Sequence, residues 1–452
     1  MKLAGVPTIA IVGGGVSGAL TAFHLLRQPA APCVVIIDPG PRLGLGLAHS
    51  TPSPRHLLNV PAGKISALPD QPDHFLNWLR AHHDTAATPG TFAPRFLFGN
   101  YVSSLLESSP GLQAIRGSVL ECRPYGAGHR LALDNGQLLD ADFVILALGN
   151  FHPAPPSGLD PAAEASGLYS PHAWHPRATE AMAPEATVAL IGSGLTAVDA
   201  LLRLREIGHR GTVVAISRHG LLPAAHAPTN PLPESAIAAG TQPTCATYTR
   251  VLRQAIRDGA PWRAAVDSLR PHSNTLWQRL PAAEQRRFRR HLQRRWDIAR
   301  HRMAPEADAA IQDELAAGTL LLRRGRVIAI ELEQNGQALH LTLRTVSGQE
   351  KLAAARVIHC TSPNIDYRRV PSPLLHDLFH QGLATTGALG FGFASTPEGA
   401  LIGPDGMPSS TLFTLGPSRI GTLFESTAVP EIRAQAASLA ELLGERIAAH
   451  AC

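Results

Sequence analysis

The sequence predicts an α/β chain of two Rossmann-like dinucleotide-binding domains, with a helical insert in the second. Three observations predict it. A short apolar run followed by a glycine fingerprint opens the chain, the same pairing recurs near residue 190, and a stretch of helical periodicity crowded with arginine comes after it. The spacing of these features sets the expected domains. They are a first dinucleotide-binding part over 1–165, a second dinucleotide-binding domain over 166–365 with its insert at about 240–320, and a carboxyl-terminal return to the first domain over 366–452.

The first fingerprint is read in its context. Thr8–Val12 is β-rich and apolar, as a buried parallel strand must be. Gly13-Gly-Gly-Val-Ser-Gly18 follows at once, and 19–26 reads as a helix. Gly13 allows the tight turn, Gly15 lets backbone approach a pyrophosphate, and Gly18 permits close helix–strand packing. The helix amino terminus offers free N–H groups to phosphates. A second apolar strand at 33–37 ends in Asp38, placed to accept hydrogen bonds from ribose hydroxyls. Position at the start of the chain favours FAD here, by analogy. The later run Asp142-Phe-Val-Ile-Leu-Ala-Leu-Gly149 reads as a buried strand whose closing Gly149 lets backbone pass the cofactor, although a plain core strand has the same pattern.

The second fingerprint repeats the order. Thr187-Val-Ala-Leu-Ile191 is a strand, Gly192-Ser-Gly-Leu-Thr-Ala197 gives G-x-G-x-x-A through Gly194, Leu195 and Thr196, and a helix follows over 198–207. The next strand, 212–216, ends in Ser217-Arg218-His219 where an acid would select NADH. A carboxylate repels a 2′-phosphate, whereas Ser217 and Arg218 bind one through charge-assisted hydrogen bonds. The expected cofactors are therefore FAD in the first site and NADPH in the second.

Composition limits the alternatives. A hydrophobic content of 44% and a charged content of 17% suit a soluble globular enzyme, and a net charge of +5 is too small to argue for nucleic acid. The amino terminus has no long apolar run ending in a small-residue cleavage site, and 8–12 is too short to span a membrane, which reads as cytoplasmic. Cys33, Cys122, Cys245, Cys360 and Cys452 lie far apart without a C-x-x-C pair. That spacing argues against zinc fingers, a redox disulfide and a secreted disulfide framework, and no metal site is expected.

Between and beyond the fingerprints stand Gly44-Leu-Gly-Leu-Ala-His-Ser50, His56-Leu-Leu-Asn-Val-Pro-Ala-Gly-Lys-Ile-Ser-Ala-Leu-Pro-Asp70, His74-Phe-Leu-Asn-Trp78, Ser217-Arg-His-Gly-Leu-Leu-Pro-Ala-Ala-His226, Trp296-Asp-Ile-Ala-Arg-His-Arg-Met-Ala-Pro305 and Glu425-Ser-Thr-Ala-Val-Pro-Glu-Ile-Arg-Ala-Gln435. With the fingerprints, these segments resemble the bacterial FAD/NAD(P)-binding family that includes an FAD-dependent urate hydroxylase and amino-acid N-monooxygenases. The resemblance covers nearly the whole chain and is not specific to one substrate. His49 stands where a tyrosine is usual, and Lys64-Ile65 where Arg-Met or a similar pair is usual, so the relatives' substrates do not carry over.

Three further site expectations accompany the resemblance. The loop at 59–70 is similar, more distantly, to the asparagine-containing stretch of flavin-containing monooxygenases, which makes Asn59 the catalytic candidate. An amide donates a hydrogen bond near the flavin without adding charge, or else holds its own loop. Ala355-Arg-Val-Ile-His-Cys-Thr-Ser-Pro363 resembles the return element that closes nucleotide domains, bringing Thr361 to the cofactor, with Ser362 in place of glycine. Thr427-Ala-Val-Pro-Glu-Ile-Arg433 opens a helix running to about residue 449, with Pro430 in its first turn and Glu431 complementing the dipole. The resemblance implies that this helix points at the pyrimidine end of the flavin, while plain capping remains the other reading.

The segment 284–303 reads as one helix with Phe288, Leu292, Trp296 and Met303 on an apolar face and arginines around the rest. The arginines suit an anionic carrier protein or nucleic acid, but a solvated helix that sends a few arginines to phosphates or a substrate carboxylate is the favoured reading. Asp297, Arg300 and His301 match the family motif and are candidates to line the active site. Together the features predict an FAD monooxygenase in which NADPH reduces the flavin and a C4a-(hydro)peroxyflavin oxygenates a small polar substrate, with molecular oxygen as co-substrate and no membrane partner. The alternatives are an NAD(P)H-dependent flavoprotein reductase or dehydrogenase without oxygenation, and a flavin-bound sensor or binding protein. Oligomeric state is left open.

Overall fold

The computed structural model describes residues 6–451 apart from Ala30, Ser108, Pro110 and Ala181, so Cys452 lies outside the described residues. The opening apolar run forms a wholly buried strand, β1 (Thr8–Val12), with parallel neighbours on both sides. In chain order the first domain adds β2 (Cys33–Asp38), β3 (Leu112–Arg116), an antiparallel meander of β4 (Val119–Tyr125), β5 (Gly128–Leu133) and β6 (Leu138–Ala141), and β7 (Phe143–Leu146). The return segment supplies two more strands at the far edge, Ala400–Ile402 and Pro408–Thr414, the latter parallel to β7. The resulting six-stranded sheet runs Ala400–Ile402, Pro408–Thr414, β7, β1, β2, β3. Helices Val16–Leu26, Arg95–Glu107 and Val429–Ala451 cover one face, and the meander with helix Pro373–His380 covers the other. Burial on both faces is why these strands are continuous apolar runs and not alternating ones.

The second domain is an all-parallel five-stranded sheet. Its strands are β8 (Tyr169–Ser170), β9 (Val188–Ile191), β10 (Val213–Ser217), β11 (Leu320–Arg324) and, after the meander β12 (Arg326–Leu332), β13 (Leu339–Arg344) and β14 (Gln349–Ala354), β15 (Arg356–His359). The order β11-β10-β9-β15-β8 places the second glycine fingerprint at the carboxyl end of the central strand. Helices Leu195–Glu206 and Pro305–Ala316 cover one face, and the meander covers the other. The outgoing and returning connections between the sheets touch at an antiparallel bridge between Phe151 and Asn364.

The insert differs from the sequence expectation in two ways. The segment 284–303 is not one helix but two, Ala282–His291 and Gln293–Arg300. Leu292 stands at φ −113° between them, its N–H still bonded to the Phe288 carbonyl at 2.8 Å. Phe288, Leu292 and Trp296 do share a cavity-facing side. Met303 does not, because the backbone leaves the helix at His301 and the Met303 N–H pairs with the Ala224 carbonyl, sending its side chain into the second domain's core. The other difference concerns Pro305–Ala316, which lies within 240–320 but is a crossover helix of the Rossmann layers, with Ile311 buried beside Leu201 and Val213. Among the described residues no helix is long and apolar enough to cross a membrane.

Candidate active site

The first glycine loop is shaped by contacts no side chain tolerates. Gly13 has φ +106°, and a Cβ there would lie 2.3 Å from the Ala147 carbonyl oxygen. A Cβ on Gly18 would lie 1.9 Å from the Gly13 oxygen. Gly15 caps helix Val16–Leu26 without a side-chain hydrogen bond, leaving the first-turn N–H groups open to an anion. Asp38, at the end of β2, accepts from the N–H of Gly14 at 2.6 Å and of Gly40 at 2.7 Å. It therefore braces the loop and keeps lone pairs for ribose hydroxyls. Residues and backbone here fit a dinucleotide.

A cavity of about 270 Å³ opens beyond this loop. Gly15 and Gly149 line one side, Gly149 at φ +67° after β7. Thr427, Val429 and Ile432, at the start of the last long helix, close another side. Sequence reasoning missed most of the polar lining. His49 lies here, with Nδ1 3.2 Å from the Arg95 carbonyl oxygen, and burial holds it down to about 4. His152 and His172 stack face to face, 3.7 Å between centroids. Burial, then His152 and His175, lower His172 to about 4. His359 joins Tyr169 Oη at 3.1 Å and Thr361 Oγ1 at 2.7 Å and is lowered to about 4 by burial. These three imidazoles are neutral at pH 7. The only sequence signal for His49 was its departure from the family pattern; His359 lies within the return element already singled out, whereas His152 and His172 carried no local motif.

The second cavity, about 380 Å³, surrounds the second fingerprint. Gly192 has φ +119°, and a Cβ would approach the Cys360 oxygen to 2.5 Å. Gly194 caps helix Leu195–Glu206, again without a side-chain bond, so Leu195 opens the helix and Thr196 reaches the first cavity. Ser193 Oγ donates to Ser217 Oγ at 2.8 Å, and Gly220 N–H donates to the same oxygen at 3.0 Å. Arg218, His219, Arg294 and Arg326 line the cavity, and its lining contains no acid. Burial lowers the affinity of His219 for a proton, and Arg218, Arg324, Arg294 and Arg295 lower it further. This is a strongly positive pocket, fitted to a phosphate. Arg294 enters from the insert, its Nη2 donating to Ser193 O and Oγ, each at 3.2 Å.

His359 and Thr361 line both cavities, so β15 ends in the wall they share. Asn59 lies on the neighbouring loop, its carbonyl accepting from His226 Nε2 at 2.9 Å, and is not in the lining of either cavity. Glu431 faces the insert, held by Arg270 through two bonds of 2.9 and 3.0 Å. The insert's arginines are less solvated than the sequence reading had them. Arg300 and Arg302 are buried and paired with Glu425 and Asp267, and Arg289 lies over the rings of Trp277 and Phe391. Across the domain boundary Arg95, which lines the first cavity, pairs with Asp199 on helix Leu195–Glu206.

Two dinucleotide folds with abutting cavities define a flavoprotein oxidoreductase fold. Residues 10–151 match the family model described as FAD-NAD(P)-binding. Solved structures share the architecture over the whole chain. An L-lysine 6-monooxygenase from Pseudomonas syringae is 16% identical, with 97% of this chain and 99% of that chain covered and a TM-score of 0.68. The ornithine N-hydroxylase of Kutzneria sp. 744, solved with reduced FAD, NADP+ and L-ornithine, is 14% identical, with coverage of 98% and 99% and a TM-score of 0.63. The thioredoxin reductase of T. acidophilum is 11% identical, with 97% of each chain covered and a TM-score of 0.52. At these identities the likeness is one of fold. A search by sequence among curated proteins returns no match.

Proposed function

We propose that this chain is an FAD-dependent, NADPH-consuming monooxygenase acting on a small polar substrate, at an amino nitrogen or a purine-like ring. The observation that carries it is the shared wall. A nicotinamide whose phosphate sat in the arginine-rich pocket would have Thr361 and His359 between it and the cavity in front of the first glycine loop. FAD, when bound, supplies the redox chemistry, taking a hydride from NADPH and activating oxygen. The chain's own residues hold and shield. Gly13, Gly15, Gly18 and Asp38 hold one dinucleotide, and Gly192, Gly194, Ser217, Arg218 and Arg294 hold the other. Leu45, Phe151, Trp174 and Ile432 keep the cavity dry, and neutral His49 and His172 offer hydrogen bonds without a charge. Asn59 would direct the substrate or oxygen from the adjoining loop, and the start of helix Val429–Ala451, which lines the cavity, would stabilise negative charge on a reduced flavin. The likeness to ornithine and lysine hydroxylases supports the nitrogen-centred version.

The test is a panel of amines, amino acids and purines with NADPH and ¹⁸O₂. One class should give a product carrying a single labelled oxygen with matched NADPH consumption. NADPH oxidation with no labelled product in any class, alongside fast reduction of an artificial electron acceptor, would establish a reductase instead. Asn59→Ala should lower labelled product per NADPH several-fold while flavin reduction by NADPH is unchanged. A lowered melting temperature or flavin content with unchanged coupling would give Asn59 a loop-holding role.

A further inference from the structure

The insert encloses a third cavity, of about 310 Å³, which shares no lining residue with the two nucleotide cavities. Helix Cys245–Arg257 presents Tyr248, Leu252 and Ile256 to it at helical spacing, and helix Gln293–Arg300 presents Trp296 and Ala299. Phe424 also lines it, stacked on Trp277 at 5.0 Å and meeting Phe288 edge-on at 5.3 Å. The lining is apolar apart from a few hydroxyls, the Cys245 thiol and two guanidiniums, Arg253 and Arg295, and it holds no acid. Both arginines are exposed, and among the described residues neither guanidinium has an ion pair or hydrogen bond. An apolar hollow gains by taking an apolar body out of water, and an unpaired guanidinium beside it selects a carboxylate through paired N–H donors.

We propose that this cavity binds an amphipathic carboxylate, an aliphatic or aromatic chain whose acid group meets Arg253 and Arg295. At about 30 Å³ per water-sized unit the space takes a body of about ten heavy atoms. The site stands apart from the oxygenation reading, because its test is binding and does not require turnover.

Trp277 and Trp296 make the protein its own reporter. The full chain is titrated with decanoate and with 1-decanol, both below their aggregation limits, following tryptophan fluorescence and heat of binding. Decanoate should give a saturable change with at least tenfold higher affinity than decanol. Arg253→Gln, an exposed change that leaves the fold intact, should cut decanoate affinity several-fold and leave decanol unchanged. Ala299→Phe, which fills the space, should abolish both. No saturable signal, equal affinity for the two ligands, or indifference to Arg253→Gln would overturn the proposal. So would concentration-dependent self-association that Ala299→Phe abolishes, since a second copy would then be the occupant.

Discussion

At the scale of single residues, the polar groups around the two nucleotide cavities are set by burial and by neighbouring charge. Arg218 stands where β10 ends, in a pocket with arginines and no acid, so its guanidinium favours a 2′-phosphate. Arg218→Gln should raise KM for NADPH about tenfold to a hundredfold and leave KM for NADH nearly unchanged, a charge-assisted hydrogen bond being worth about 1.5–3 kcal/mol. Steady-state kinetics with both nucleotides check it. Asp297 shows the opposite balance. Burial raises its carboxyl to about 6, although Arg294 and Arg289 pull it down. Its folded value lies above the unfolded 3.8, so its contribution to stability is present below that value and is lost as pH rises through 6. Asp297→Asn should therefore gain stability relative to the parent between pH 4 and pH 7, by about 1–2 kcal/mol after allowing for partial solvent screening. Paired thermal melts at the two pH values measure this, and an unchanged difference would place the carboxylate in solvent.

At the scale of elements, each strand–glycine–helix unit works because backbone approaches backbone where a side chain would stand. Gly18→Ala puts a Cβ against the Gly13 oxygen, and neither atom can retreat without opening the turn from β1 into its helix. Flavin absorbance per mole of purified Gly18→Ala protein should fall several-fold, with secondary structure by circular dichroism largely retained. The insert shows how an element escapes a periodicity reading. Phe288, Leu292 and Trp296 keep helical spacing across the break at Leu292, so the apolar face is continuous although the helix is not. The pattern reports which residues are buried together, and the hydrogen bonds decide whether one helix carries them.

At the scale of the whole molecule, polar side chains tie the two sheets together across their boundary. Arg95 and Asp199 form a largely buried pair across the boundary, Arg95 also donating to the Leu57 carbonyl at 3.1 Å, while His56 meets the Asp199 carbonyl at 2.9 Å. Removing one member leaves a buried unpaired charge, at a cost of about 3–5 kcal/mol. Asp199→Ala should lower the calorimetric melting temperature, separate the two domains' transitions, and slow flavin reduction by NADPH more than it weakens NADPH binding. A single unshifted transition would show that the pair does not hold the domains in register.

The sequence by itself determined what is encoded in contiguous residues. Gly13, Gly15 and Gly18 with Asp38, and Gly192 and Gly194 with Ser217 and Arg218, each lie within one strand–turn–helix–strand unit, where local geometry dictates residue type. The fold and both nucleotide loops were legible for that reason. The tertiary structure alone decided the walls. His49, Arg95, His172 and His359 come from four separate segments, and Arg294 reaches the second fingerprint from the insert. It also turned Glu431 toward Arg270 and brought the Asn59 carbonyl to His226, contacts that the sequence did not record. Such juxtapositions depend on how two packed sheets and an insert meet, and no local propensity or spacing records that meeting.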